Sequence, residues 1–262
     1  MKQYIVDAFT DKVFSGNQAA VCALDEWISD ELMRNIAREN NFSETAFTVR
    51  EGDNSYRLRW FTPGCEIDFC GHATLGTAIV LFNYYCTNCD TIIFNTKVGQ
   101  LTVFRKGDAI EMNFPAYENR PVEITGSMRE ALGASPIEAY RDRDLLLVME
   151  SEAAVKALKP DMEKLKRLDA LCVGVTARGN GKEYDCVSRV FAPKLGITED
   201  PVTGSTHCMI VPLWAEKLGK DEIVAFQASE RTGVLYAKLY GNRVKISGKA
   251  ALYAISDILP NW

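Results

Sequence analysis

Arg59-Trp-Phe-Thr-Pro63 and Arg189-Val-Phe-Ala-Pro193 carry Arg, Phe and Pro in the same order, 130 residues apart. Downstream, Cys70-Gly-His-Ala-Thr74 stands against Thr203-Gly-Ser-Thr-His207 at an offset of 133. Gly99-x-Leu101 then matches Gly233-x-Leu235, and Gly107-Asp108 matches Gly241-Asn242, both at 134. One such match arises by chance, whereas four in order with a slowly growing offset mark a duplicated unit. The reading is two copies of one domain, residues 1–118 and 119–262, facing each other across a cleft that would hold the active site.

The local patterns fit a duplication. Each half holds seven short β-rich runs bounded by Gly, Asn, Asp or Pro, from Tyr4–Phe9 to Ala109–Pro115 and from Leu145–Glu150 to Leu252–Ile255. Glu26–Glu39 has Ile28, Leu32 and Ile36 on one stripe, which predicts a helix lying on a sheet with a wet outer face, and Glu152–Leu168 is its counterpart. His72–Phe82 and Ser205–Leu218 are apolar nearly all round, so each predicts a helix enclosed by its own half's strands, the second kinked at Pro212. The predicted fold is α+β: two pseudo-twofold-related domains, each a mostly antiparallel sheet wrapped around a central helix.

Composition narrows the function. The 262 residues are 47% hydrophobic and 25% charged, the mixture of a globular protein with a sizeable core. No apolar run reaches the roughly 18 residues of a membrane helix, and the first residues, Met1-Lys-Gln-Tyr-Ile-Val-Asp7, lack a signal-peptide pattern, so a cytoplasmic protein is expected. The net charge of −5 comes from intermixed signs, which argues against nucleic acid and membrane and for a small solute. Eight cysteines read as buried small residues, with Cys86-x-x-Cys89 the one tight pair, and with only two histidines no second metal-spaced pair exists; neither metal nor cofactor is expected.

Gly71-His72 and Gly204-Ser205 each put a glycine at the turn entering an apolar helix, where free N–H groups and the positive end of the dipole point outward. Glycine lets a ligand approach the backbone, so Gly71 and Gly204, with Thr206 in the same turn, are candidate contacts for a small anionic substrate.

These residues carry a resemblance. Val6-Asp-Ala-Phe-Thr10, Phe14-x-Gly-Asn-Gln-Ala-Ala-Val21, Ser43-Glu-Thr-Ala-Phe47, Trp60-Phe-Thr-Pro63, Cys70-Gly-His-Ala-Thr74 and Asp200-Pro-Val-Thr-Gly-Ser205 resemble the phenazine-biosynthesis PhzF-like family over essentially the full length. The resemblance implies a diaminopimelate-epimerase type of fold and a homodimer. It implies an isomerase that moves a proton on a small unsaturated or amino-substituted carboxylic acid without metal or organic cofactor. It puts the catalytic glutamate at Glu44, the cleft histidine at His72, and catalytic Asp and Ser at Asp200 and Ser205, with Asn17 free to bind substrate. Gln18 stands where the family usually has proline, a departure that removes no chemical group.

Related racemases of this superfold use two cysteines, at the positions of Cys70 and Thr203 here. A threonine hydroxyl is too weak an acid to replace a thiolate, which disfavours that mechanism; Cys70 at a helix start remains a candidate single base. Glu44 lies between Phe42 and the run Thr45–Val49, where partial burial suits acid/base work. Aligning Ser43-Glu-Thr-Ala46 with Gly174-Val-Thr-Ala177 puts Val175 opposite Glu44, so only the first half carries the acid. Two other readings stand beside the isomerase: a non-catalytic metabolite- or partner-binding protein that retains the cleft, and a single-cysteine epimerase or dehydratase.

Overall fold

The short apolar runs pair as strands in two units of the computed structural model, which describes residues 1–259. The first unit is Met1–Asn113 with the chain from Ser247 on, and the second is Phe114–Ile246. This differs from a simple cut at residue 118: the last strand completes the first unit rather than the second.

The first unit runs β1 Lys2–Ala8, β2 Asn17–Leu24, α1 Asp30–Asn40, β3 Glu44–Arg50, β4 Ser55–Phe61, β5 Glu66–Ile67, α2 Gly71–Tyr84, β6 Thr91–Thr96, β7 Gly99–Lys106 and β8 Ala109–Pro115. β1 pairs antiparallel with β2, β2 parallel with β3, β3 antiparallel with β4, β4 parallel with β6, and β6 antiparallel with β7. The second unit contains β9 Arg120–Pro121, α3 Gly126–Leu132, β10 Glu138–Arg141, β11 Leu145–Val148, α4 Glu152–Ala157, α5 Met162–Arg167, β12 Val173–Arg178, β13 Cys186–Ala192, β14 Ile197–Asp200, α6 Gly204–Leu218, β15 Glu222–Gln227, β16 Gly233–Tyr240 and most of β17 Arg243–Gly248. From β10 onward its pairings repeat the same series: antiparallel, parallel, antiparallel, parallel, antiparallel. β18 Ala250–Asp257 returns to the first unit and pairs antiparallel with β1.

The repeated Arg and Phe serve one local device. Arg59 donates from Nε and its second terminal nitrogen to both oxygens of Glu66, at 2.7 and 2.8 Å, and lies over the Phe61 ring. Arg189 does the same with Glu199, at 2.7 and 2.8 Å, over Phe191. In each copy the planar guanidinium clamps the short strand, β5 or β14, that feeds the following helix. Glu66 and Glu199 are the repeat positions that the glycine and proline matches did not show.

α1 buries only Met33, Ile36 and Ala37, with Ser29 accepting from the Leu32 N–H at its N-cap. α2 buries ten of its 14 residues and α6 ten of 15, so both are enclosed within their units; Pro212 sits inside α6 without ending it. Gly76 shows how closely α2 is held: a Cβ there would stand 2.7 Å from Val6 Cγ2 of β1. The single helix predicted over Glu152–Leu168 is two helices. Pro160 lacks an N–H and excludes helical backbone before it, so α4 stops at Ala157 and α5 restarts at Met162 behind the Asp161 cap. Cys86 and Cys89 are joined in a disulfide rather than left as buried thiols; of the six free cysteines all but Cys65 are buried. No helix among the described residues is long and apolar enough to cross a membrane.

Candidate active site

Glu44 begins β3, directly after a sharp exit from α1. Asn41 takes the left-handed conformation at the C-cap (φ 51°), and the Asn40 side chain donates to Gln3 Oε1 and Thr45 Oγ1, each at 3.0 Å. That turn and those bonds set the strand's first residue in parallel register with Ala19 of β2. Asn17 stands two residues earlier in β2, after Gly16, whose φ of +67° and approach to the Ala8 carbonyl leave no room for a side chain.

The helix start supplies the partners. Cys70 is the extended residue before α2 and caps it with no side-chain bond, so its thiol is free to meet His72. His72 Nε2 lies 2.9 Å from Glu44 Oε2, an ion pair when the ring carries its proton. Asn17 Nδ2 lies 3.2 Å from His72 Nδ1, and Cys70 Sγ lies 3.5 Å from Nδ1 and 3.9 Å from Nε2. Glu44 is 8% exposed and His72 7%, so this group is nearly closed off within the first unit.

Burial, followed by the Glu44 charge, pushes the Cys70 thiol up to about 11. It is therefore a thiol near neutral pH, against the expectation that a helix start would lower it. Burial also works against charge on His72, but Cys70 and Glu44 beside the ring outweigh it and hold the imidazole well above its usual range. With Cys70 protonated, the anion that faces the ring is the Glu44 carboxylate. Beside Gly71 an added Cβ would meet nothing within 4 Å, leaving backbone N–H groups open to a ligand.

In the second unit a different group forms at the corresponding helix start. Thr203, in Cys70's place, donates from Oγ1 to Asp200 Oδ2 at 2.5 Å. Gln227 accepts from the Thr203 N–H at 2.9 Å and donates to the Asp200 carbonyl at 2.6 Å, tying β14 to the start of α6. Ser205, in His72's place, is half-buried, and Gly204 opens the helix as Gly71 does. Thr206 does not face a ligand: it is fully buried and its hydroxyl donates to Asp144 Oδ2 at 2.7 Å inside the unit. His207 is a neutral structural residue, lowered by burial to about 4, with Nδ1 2.7 Å from the Thr203 carbonyl. Gln227 was not anticipated. Its signal was a polar residue on the inward phase of an alternating strand, with Ile223 and Ala225.

The residue that corresponds to Glu44 is Cys172, not Val175. Phe47 lies opposite Arg59 and Val175 opposite Arg189, and Thr48 and Thr176 each donate to the carbonyl one residue before the strand partner, Arg57 and Val187. That register moves the alignment by three residues. The functional consequence is unchanged, because the second unit still has no carboxylate there, and burial pushes the Cys172 thiol up to about 12.

Comparison with known proteins bears on the family and the fold. The family model for phenazine biosynthesis-like protein, PhzC-PhzF, matches residues 6–255. An uncharacterized isomerase of Pseudomonas aeruginosa is 49% identical over 249 residues, covering 95% of each chain. The crystal structure of a PhzF-family phenazine biosynthesis protein of Enterococcus faecalis superposes with a TM-score of 0.96 at 47% identity, covering 98% of each chain. A probable proline racemase of Agrobacterium radiobacter shares the fold alone, with a TM-score of 0.64 at 9% identity over 99% of this chain and 93% of that one.

Proposed function

The chain belongs to the phenazine biosynthesis-like (PhzC-PhzF) family, and from that premise we propose that it is an isomerase that moves a proton on a small unsaturated or amino-substituted carboxylic acid, with Glu44 as the acid/base. One observation carries the reading. Glu44 Oε2 is buried and 2.9 Å from His72 Nε2, and the duplicated unit has Cys172, not a carboxylate, at that place. A buried carboxylate paired with an imidazole in one copy only is placed for acid/base work rather than for the fold that both copies share.

In this mechanism Glu44 removes a proton from a carbon next to a conjugated system and returns it to another carbon, so no net proton is lost. One carboxylate serves both transfers only if the intermediate is stabilised by its own conjugation, which selects unsaturated acids. His72, charged beside Glu44, favours the carboxylate form before proton abstraction and balances the site's charge afterwards. Asn17 orients the ring through Nδ1 and so acts as a positioning residue rather than a direct substrate contact. The open N–H groups at Gly71 and His72 suit a substrate carboxylate. Neither metal nor cofactor has a step in this chemistry. Asp200→Asn and Ser205→Ala test whether the second unit contributes to the same reaction.

A thiol base is disfavoured twice, by the burial that keeps Cys70 protonated and by the Thr203 hydroxyl's engagement with Asp200. The reading is tested by incubating the protein with a panel of small unsaturated and amino-substituted acids in deuterated water, with chelator present, and following carbon-bound deuterium by NMR. Acids that raise the melting temperature and gain deuterium support it. Acids that bind tightly with no exchange would establish a binding protein instead.

A further inference from the structure

Glu44, Cys70 and His72 each place one donor atom so that the three lie within 4.8 Å of one another, all buried. The sequence gives no hint of this, because metal motifs are recognised by tight spacing, and here the ligands come from the start of β3 and from either side of the first residue of α2.

We propose that this cluster is an inhibitory site for a soft divalent cation, zinc above all, which occupies the carboxylate needed for proton transfer; the inhibitory part rests on the function proposed for Glu44. Two of the three edges fit with small adjustments, and the third, from Glu44 to Cys70, lies within 4.8 Å. Zinc bonds of about 2.3 Å to sulfur, about 2.0–2.1 Å to imidazole and about 2.0–2.2 Å to carboxylate imply tetrahedral edges near 3.4 Å for O–N and near 3.6 Å for pairs with sulfur. The Glu44 Oε2–His72 Nε2 edge is 2.9 Å and the Cys70 Sγ–His72 Nε2 edge is 3.9 Å, so one opens by about half an ångström and the other closes by less, well within side-chain rotation.

The donor chemistry selects the ion. Magnesium and calcium take oxygen ligands, whereas a set of one thiolate, one imidazole and one carboxylate suits zinc and its softer neighbours. Asn17 Nδ2 lies against Nδ1, and with the amide turned over its oxygen would accept from the Nδ1–H of a ring metallated at Nε2, the usual second partner of a ligating histidine. Binding is a proton exchange with no redox change: the cation replaces the Cys70 thiol proton and the Nε2 proton of His72, which pass to solvent. Thiolate and carboxylate then neutralise the two positive charges, and Glu44 has lost the lone pair that would accept a substrate proton.

The test uses the full chain in a Cys65→Ser background, which removes the exposed thiol, after stripping with chelator. Zinc is titrated against a chromophoric chelator, and cadmium is followed by its ultraviolet thiolate band. The expected result is one ion per chain with a Kd at or below about 1 μM, and at least a tenfold weakening in Cys70→Ser and in His72→Gln. Metal-free melting curves show that each variant is folded. Cys70→Ser binding zinc as tightly as its parent, or no thiolate band with cadmium, overturns the site. Zinc bound there should also stop deuterium exchange in proportion to occupancy, and chelator should restore it. Exchange that continues in the zinc-loaded protein overturns the inhibition and removes Glu44 from the mechanism, whereas exchange that depends on Glu44 with no zinc binding overturns this inference alone.

Discussion

Glu44→Gln should separate catalysis from stability. The amide has the carboxylate's shape, so β3 and its register with Ala19 are kept, but it cannot accept a proton. Two opposing effects act on folding. The substitution removes a charge from beside His72, and breaking a buried pair costs about 3–5 kcal/mol when the partner stays charged. It also lets the imidazole relax toward neutrality, so the fold no longer buries a charged ring. The net should stay within about 2 kcal/mol, a melting shift of at most about 8 °C for a chain of this size. Turnover should fall by about 10²–10⁴, the scale for losing a positioned acid/base, or about 2.7–5.5 kcal/mol on the barrier. The assay is the rate of deuterium wash-in on any substrate acid, read beside a melt and a ligand titration on the same preparation. A variant that exchanges within about threefold of the parent, while binding the acid equally well, refutes the proton-shuttle role, because the residual rate would be at least tenfold too high for that loss.

Three further outcomes follow from the geometry. His72 holds its proton more tightly in the fold than in the unfolded chain, so its stabilisation is full below the unfolded value of about 6.5 and is lost as pH rises through the raised folded value; the stability gap between parent and His72→Asn, from urea titrations across pH, should be widest in acid and narrow in alkali, and a gap that widens with pH contradicts the assignment. Burial that pushes Cys70 to about 11 should make it inert, so brief alkylation near neutral pH, mapped by mass spectrometry, should label exposed Cys65 and spare Cys70, and rapid labelling of Cys70 would show a reactive thiolate. Gly16→Ala forces a side chain to φ +67° and a Cβ to 2.2 Å from the Ala8 carbonyl, so it should destabilise by at least about 1–3 kcal/mol and weaken ligand binding through the displaced Asn17; an unchanged melt would refute the strain.

The duplication was legible because its signs are local. Arg59, Phe61 and Pro63 recur with Arg189, Phe191 and Pro193 since each copy needs the same clamp over the same ring, and the all-round apolar pattern of α2 and α6 records that each is enclosed within its unit. Glu44 stood out as an acid in only one copy, and the parent family was readable from motifs spread along the whole chain. What the linear pattern could not supply was register and company. A repeat match of four residues does not say which carbonyl a threonine reaches, so the linear alignment sets Val175 against Glu44 where the pairing of β12 with β13 places Cys172. Thr206 shared a turn with Gly204 and Ser205, but one step along a helix turns a side chain by about 100°, and that rotation sends its hydroxyl inward to Asp144. The convergence of Asn17, Glu44, Cys70 and His72 belongs wholly to the tertiary structure, because donors on β2, β3 and the start of α2 meet only when the helix is drawn against the sheet, closely enough that Gly76 has no room for a side chain beside Val6.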